Sequence, residues 1–405
     1  MNLFSTLLPL TGFATALAGT LALTPVARYF ARWIGVVDCP DGWRKLQRRP
    51  VALLGGVAVL AGFMLGIGML LATVELPTYS TRLPGLLTGM AILCLIGVYD
   101  DKWSMPARWK LVGQIIAAVP VMLSGFAIER IGIRSYVLEL GWGTVPFTVL
   151  WLVVAINSVN LIDGMDGLCS TTAMCVALGV AATGWVTGTS ETTMLALTLV
   201  GALAGFLVYN FPPATIYLGD AGSMVIGMAL AVLSLEVAQD LHVQTSLPVM
   251  LVLMAVPLGD TGLAILRRWL NGKGIFYADR GHIHHRLLDQ GFGVKAVLAI
   301  VGGICLLTGA VVVLARAVEI DGAAWVACII LGAALVRVRL MGYHEWALVR
   351  EVFAKRFAPQ PEEAPSIIAE TPVPILRLYV GDSTELEAET AEIPAVVAPP
   401  KQRAA

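Results

Sequence analysis

The chain has 405 residues, 57% of them hydrophobic and only 14% charged, with a formal net charge of −1 and a mean hydropathy of +0.79. A water-soluble protein of this length does not carry so little charge. A near-neutral chain without a basic tail gives no footing for a nucleic-acid partner. The six cysteines (Cys39, Cys94, Cys169, Cys175, Cys305 and Cys328) are scattered, mostly within apolar runs, and form no CxxC pair. They read as small buried hydrophobes, neither a disulfide framework nor a zinc site.

In chain order, apolar stretches near twenty residues long alternate with short polar segments. A hydrocarbon layer about 30 Å thick demands that spacing of its helices. Eleven spans are predicted, at residues 4–23, 51–73, 83–99, 111–128, 145–159, 168–187, 193–210, 221–237, 247–266, 296–315 and 323–338. The first has no basic leading segment, so a cleaved signal peptide is not expected. Tyr29, Trp33, Tyr99, Trp103 and Trp142 fall near span ends, as interfacial anchors do.

Lys and Arg crowd alternate connections. Arg28, Arg32, Arg44, Lys45, Arg48 and Arg49 follow the first span; Lys102, Arg108 and Lys110 follow the third; Arg267, Arg268, Lys273, Arg280 and Arg286 follow the ninth. The alternate segments hold only Arg82, Arg130, Arg134 and Arg316. The positive-inside rule then makes the odd-to-even connections cytoplasmic, with the N-terminus outside and the C-terminus inside. The expected fold class is an all-α polytopic integral membrane protein. Residues 1–340 form its transmembrane domain and 341–405 a cytoplasmic tail. From 358 to 405 the tail is rich in Pro, Ala and Glu, which predicts disorder apart from a short strand-like piece at 375–380.

With this orientation the unusual polar motifs all fall on the cytoplasmic side. Asp100-Asp101 ends the third span. Asn157-Ser-Val-Asn160-Leu-Ile-Asp163-Gly-Met-Asp166-Gly-Leu168 ends the fifth. Asn210 precedes Gly219-Asp220-Ala-Gly222-Ser223, which opens the eighth, and Asp260 lies near the end of the ninth. His282-Ile-His284-His285-Arg286 occupies the longest cytoplasmic loop. Carboxylates this close repel unless a cation or a metal-bound phosphate lies between them. Asp100, Asp101, Asp163, Asp166 and Asp220 offer hard oxygen ligands of the kind Mg²⁺ or Mn²⁺ prefers, with substrate phosphates completing the shell. Lys110, Arg280, Arg286 and the Arg44–Arg49 cluster supply nearby base, and acid, metal and base together suit phosphoryl transfer. Gly219 and Gly222 permit close approach at a helix start, where a phosphate is favoured. Taken alone, the stretch from Asn157 to Asp166 is an Asn/Asp/Gly loop capping two helices, and H-x-H-H is a zinc site or an exposed loop feature. Beside carboxylates and Arg280, hydrogen bonding or charge donation to a diphosphate is the preferred reading of the histidines.

Four motifs in this order carry a resemblance: Asp100-Asp101; N-x-x-N-x-x-D-G-x-D-G-L from Asn157; N-x₉-D-x-G-S from Asn210; and D-R-x-H-I-H-H-R-L from Asp279. Over residues 1–340 the chain resembles the polyprenyl-phosphate N-acetylhexosamine-1-phosphate transferases of glycosyltransferase family 4. The H-I-H-H loop is similar to the WecA-like branch, which starts O-antigen, enterobacterial common antigen or wall teichoic acid chains; the MraY-like branch usually reads H-H-H. The resemblance implies transfer of a sugar-1-phosphate, most commonly GlcNAc-1-phosphate, from a UDP-sugar to undecaprenyl phosphate, with release of UMP. It further implies a requirement for Mg²⁺ or Mn²⁺, residence in the bacterial cytoplasmic membrane, and room for a homodimer.

By the same resemblance Asp220 and Asp163 are metal ligands. Asp100 and Asp101 are the catalytic pair, one of them base or nucleophile. Asn157, Asn160, Asp166, Lys110, Asn210, Arg280, His282, His284 and His285 contact substrate. Gly55-Gly56 matches the family's Pro-x-x-x-Gly-Gly at the second span, and Gln47 departs from the His that relatives often carry. Two routes stay open: an Asp attacks first to give a phosphoryl-enzyme, or the lipid phosphate attacks directly with an Asp as base. A secondary transporter would share the span count and the acids, but its site would sit near the midplane. The D-G-x-x-A-R signature of CDP-alcohol phosphotransferases is absent, and a membrane scaffold would leave the shared face unexplained.

Overall fold

The computed structural model describes residues 3–39, 50–133, 136–239, 244–274, 277, 279, 281–337, 342–343 and 345–350. Residues 44–49, Arg134, Arg280 and the tail beyond 350 lie outside these, as does the strand expected at 375–380.

The apolar runs fold as helices. In chain order these are α1 (Leu3–Ile34), α2 (Gly55–Thr73), α3 (Tyr79–Trp103), α4 (Ala107–Leu123), α5 (Thr144–Ile162), α6 (Leu168–Thr187), α7 (Ser190–Asn210), α8 (Gly219–Ala238), α9 (Leu247–Leu253), α10 (Ala255–Leu270), α11 (Ile283–Asp289), α12 (Val294–Ala317) and α13 (Asp321–Arg337). Each of the eleven expected spans coincides with one of them, the ninth with α9 and α10 together. Among the described residues eight helices are long and apolar enough to cross a membrane, and nine if α9 and α10, which meet at 81°, make one broken span. Of the other two expected spans, α4 has 17 residues and α13 is described over 17. The protein is therefore a multi-pass, all-α membrane protein, with eight or nine spans of full length among the described residues.

Short strands close the connections. β1 (Val37–Asp38) pairs antiparallel with β2 (Val51–Ala52). β3 (Arg130–Ile133) pairs antiparallel with β4 (Tyr136–Glu139) and parallel with β5 (Gln244–Thr245). These pairs satisfy backbone groups where the chain leaves a helix.

The bundle is built around α8. Every residue of α8 except Asp220 is buried, and α2, α3, α5, α6, α7 and α9 surround it. Such a helix has no polar face, so its sequence carries no helical periodicity. Its start is held by backbone contact. Gly55 and Gly56 donate N–H bonds to the carbonyls of Tyr217 and Leu218 at 3.0 and 2.9 Å. A Cβ on Gly56 would lie 2.1 Å from the Gly222 nitrogen, so α2 and α8 approach at a distance that only glycine allows. The N-terminus of α8 is thereby fixed at the same end of the bundle as the last turns of α3 and α5.

Candidate active site

Gly219 adopts φ +72°, and a Cβ there would lie 2.5 Å from Asp101 Oδ2. The turn frees the first N–H groups of α8, and Asp101 takes them. Its Oδ1 accepts from the Asp220 N–H at 2.9 Å and its Oδ2 from the Ala221 N–H at 3.3 Å. Asp101 thus caps α8 from the end of α3, a favourable place for a negative charge. The expected catalytic pair divides here, because its neighbour Asp100 faces elsewhere. Asp100 accepts the Met105 N–H and lies 3.0 Å from Lys110 Nζ.

Lys110, on the first turn of α4, joins the acids. Its Nζ lies 2.8 Å from Asp220 Oδ2, 3.0 Å from Asp100 Oδ2 and 3.5 Å from Asn160 Oδ1. The three N–H bonds of the ammonium have three acceptors on three helices. Asn160 Nδ2 donates to Asp220 Oδ1 at 2.5 Å and to Ser223 Oγ at 2.8 Å, fixing the second oxygen of Asp220. The side chain of Asp220 keeps 30% of its exposure, so an incoming ligand reaches it.

Asp163 follows α5 and is half-buried. Among the described residues nothing donates a hydrogen bond to its carboxylate. Desolvation pushes its pKa up to about 8, helped by the negative charges of Asp220 and Asp101. An acid so placed is largely protonated at pH 7 unless a cation lies beside it. Among the described residues no three His, Cys, Asp or Glu side chains already close on a metal-sized point; the oxygens of Asp163 and Asp220 are the available hard donors.

The remaining amides and acids of the motifs serve the chain itself. Asn157 pairs amide to amide with the fully buried Gln114 of α4, at 2.6 and 3.3 Å, and turns away from the acids. Asn210 accepts from the Gly167 N–H at 3.0 Å and from Ser170 Oγ at 3.3 Å, and donates to the Ile216 carbonyl at 2.9 Å. Asp166 accepts from the Ala214 N–H at 2.9 Å. Asn157 ties α5 to α4, while Asn210 and Asp166 hold the α5–α6 and α7–α8 connections together.

The histidine segment reaches this end from α11. His282 Nδ1 lies 2.7 Å from Asp260 Oδ2, and the Ile283 N–H donates to Asp260 Oδ1 at 2.9 Å. His284 lies against the turn after α5: a Cβ on Gly164 would be 2.8 Å from its Nε2. Neither of its ring nitrogens has a hydrogen-bond partner among the described residues. The ring of His285 lies beside it, tilted by 40°, with centroids 4.2 Å apart. Burial, then the charge of His285, lowers the His284 pKa to about 4, so the ring is neutral at pH 7. Arg280 lies outside the described residues. The sequence reading gave no role to Gln114, Arg267 or Glu345. Gln114 lies four residues after Lys110 on α4; Arg267 counted only as a charge, and Glu345 stands in no motif.

The acid–ammonium cluster and the histidine segment together occupy the motifs of one family. Residues 83–238 match the glycosyl transferase family 4 profile. The chain is 32% identical over 291 residues to the probable undecaprenyl-phosphate N-acetylglucosaminyl 1-phosphate transferase of Bacillus subtilis, covering 71% of this chain and 80% of the relative. The chain belongs to glycosyltransferase family 4. It is also 32% identical over 325 residues to the decaprenyl-phosphate N-acetylglucosaminephosphotransferase of Mycobacterium tuberculosis, covering 73% and 79% of the two chains. With the undecaprenyl-phosphate alpha-N-acetylglucosaminyl 1-phosphate transferase of Escherichia coli it shares 27% over 300 residues, covering 72% and 79%. The family resemblance read from the motifs is borne out, and with it a phosphotransferase class of enzyme.

Proposed function

We propose that this family 4 enzyme transfers N-acetylhexosamine-1-phosphate, most specifically GlcNAc-1-phosphate, from its UDP-sugar to undecaprenyl phosphate. The products are UMP and a lipid-diphosphate-sugar on which a cell-envelope polysaccharide is begun. The relatives' names support the sugar and the lipid class. The observation that carries the chemistry is the Asp100–Lys110–Asp220 cluster at the end of the bundle, with Asp163 beside it.

An oxygen of the lipid phosphate forms a bond to the β-phosphorus of the UDP-sugar. The bond from that phosphorus to the oxygen bridging to the α-phosphate breaks, and UMP leaves with the electron pair. Lys110 faces the negative charge that grows on the phosphates. Asp220 and Asp163 supply oxygen ligands for Mg²⁺ or Mn²⁺; such an ion, when bound, neutralises the diphosphate and stabilises the leaving UMP. Asp100 is the better placed of the acidic pair to take a proton from the lipid phosphate, since its Oδ2 meets the movable ammonium of Lys110, whereas both oxygens of Asp101 are engaged by the fixed α8 backbone. His284, its neutral ring buried against the turn after α5, backs the segment that carries Asp163.

The membrane placement follows the substrates. The lipid arrives laterally and the nucleotide from the cytoplasm, so the site end of the bundle faces the cytoplasm. Lys102, Arg108, Lys110, Arg267, Arg268, Lys273 and Arg286 cluster at that end, as the positive-inside rule requires. With eleven spans the N-terminus lies outside and the C-terminus inside the cell.

The test follows UMP release by purified protein in detergent, with polyprenyl phosphate and a panel of UDP-sugars, with and without Mg²⁺. Metal-dependent UMP from UDP-GlcNAc, abolished in Asp220→Asn, is expected. A folded sample that releases UMP from no donor would sink the reading. Release that survives Asp220→Asn would overturn the ligand assignment alone.

A further inference from the structure

His284 reaches the turn after α5 from α11. At seven residues α11 is too short to persist by itself. On one side Asp260 of α10 binds His282 and the Ile283 N–H. On the other, Arg286, one turn along, donates from Nη1 to Glu345 Oε2 at 2.8 Å and from Nη2 to Glu345 Oε1. Glu345 lies in the helical residues 345–350, far outside the family motifs, and is buried. It also accepts from Nη1 of Arg267 on α10. Arg267 in turn binds Asp279 Oδ2, through Nε at 2.9 Å and Nη2 at 2.5 Å, and Asp279 Oδ1 accepts the Gly281 N–H at 2.9 Å.

Glu345 is therefore a carboxylate shared by both arginines. Desolvation would raise its pKa, yet Arg286 and Arg267 hold it below the ordinary value, so it stays ionised. Without it, two guanidiniums would face each other with Asp279 as the remaining acid. Removing one partner from a buried charge cluster is far more disruptive than its net worth suggests.

We propose that Glu345 is a positioning residue for the transfer reaction, its carboxylate gathering Arg267 and Arg286 so that α11 holds His284 against the Asp163-Gly164 turn. The proposal rests on the transferase reading for its catalytic consequence, but not for its structural one. Glu345 touches no substrate in this account; it acts through the histidine.

Two readouts test it on the full-length protein in detergent, comparing wild type, Glu345→Gln, Glu345→Asp, His284→Gln and the double variant Glu345→Gln/His284→Gln. The first is acylation of His284 by diethyl pyrocarbonate, read by mass spectrometry. The ring is 2% exposed in the wild type and is expected to be protected. It should become reactive in Glu345→Gln and less so in Glu345→Asp, while the buried Cys169 and Cys305 stay unreactive to a maleimide. Should Glu345→Gln lose that cysteine protection, Glu345→Asp carries the comparison. The second is UMP release. A shift of about 1 Å at the site lowers kcat/KM on the order of 10²-fold, and the double variant should be no worse than His284→Gln alone. Unchanged protection of His284 in a folded variant, or losses that multiply in the double variant, would overturn the proposal. A wild type that releases no UMP would overturn the transferase reading, while the acylation experiment would still decide the role of Glu345.

Discussion

His284 is 2% exposed, and neither ring nitrogen meets a hydrogen-bond partner among the described residues. A neutral imidazole tolerates such a place far better than an imidazolium does. Burial, then His285, moves its pKa from the ordinary 6.5 to about 4. Between those values the unfolded chain takes up a proton that the folded chain refuses. The contribution to stability is thus complete above pH 6.5, is lost as pH falls from 6.5 towards 4, and changes no further below. The gap corresponds to about 3 kcal/mol at its fullest. Melting in detergent should accordingly show a larger fall in Tm between about pH 7.5 and about pH 5 for the wild type than for His284→Gln. Equal falls would mean that water reaches the ring.

At the scale of single elements, the site depends on how α2, α3 and α5 meet the start of α8. Gly56 lies so close to Gly222 that a methyl group has nowhere to go. Gly56→Ala should force α2 off α8 and cost about 1–3 kcal/mol. Because Asp101 and Asp220 share that junction, kcat/KM should fall together with Tm; a variant with full activity and a lower Tm would separate the junction from the site. The junction also shows what can be read in advance. Asp100, Lys110, Asn160 and Asp220 were visible as acids, amides and base at span ends, and the spans themselves followed from apolar length. Less visible was the division of labour. Asp101 looks like a twin of Asp100 in sequence, but which of two adjacent carboxylates faces a helix start depends on how α3 turns against α8. Asn157 and Asn210 carry the same chemistry as Asn160, yet their amides are taken by Gln114, Gly167, Ser170 and Ile216. Glu345 was hidden altogether, because its partners lie 59 and 78 residues away and no spacing rule links them.

Across the whole molecule α8 is a rod with polar contacts at both ends. From Asp220 to Glu236 it rises about 24 Å. At the far end Arg82 Nη1 lies 3.1 Å from each oxygen of Glu236, and Arg316 Nη2 donates to the Ala238 carbonyl at 2.8 Å, where the helix dipole favours a cation. Glu236→Gln should lower Tm while leaving kcat/KM for the UDP-sugar near the wild-type value, since the change lies a membrane's thickness from the acids. A matching loss of activity would mean that α8 transmits displacement along its axis. The enclosure of this rod also bears on how the protein is made. Of the helices packed along α8, α2, α3, α5, α6 and α7 precede it in the chain and α9 follows it, and chains emerge N-terminus first. The socket is thus synthesised before the piece that fills it, and α8 passes from the insertion machinery into protein instead of lipid. Its arrival assembles Asp100, Lys110, Asn160 and Asp220 while the histidine segment, about sixty residues further on, is still to come. Birth order therefore leaves the acidic pocket open on one side until the histidine segment and, later still, the Glu345 that fastens it have been made.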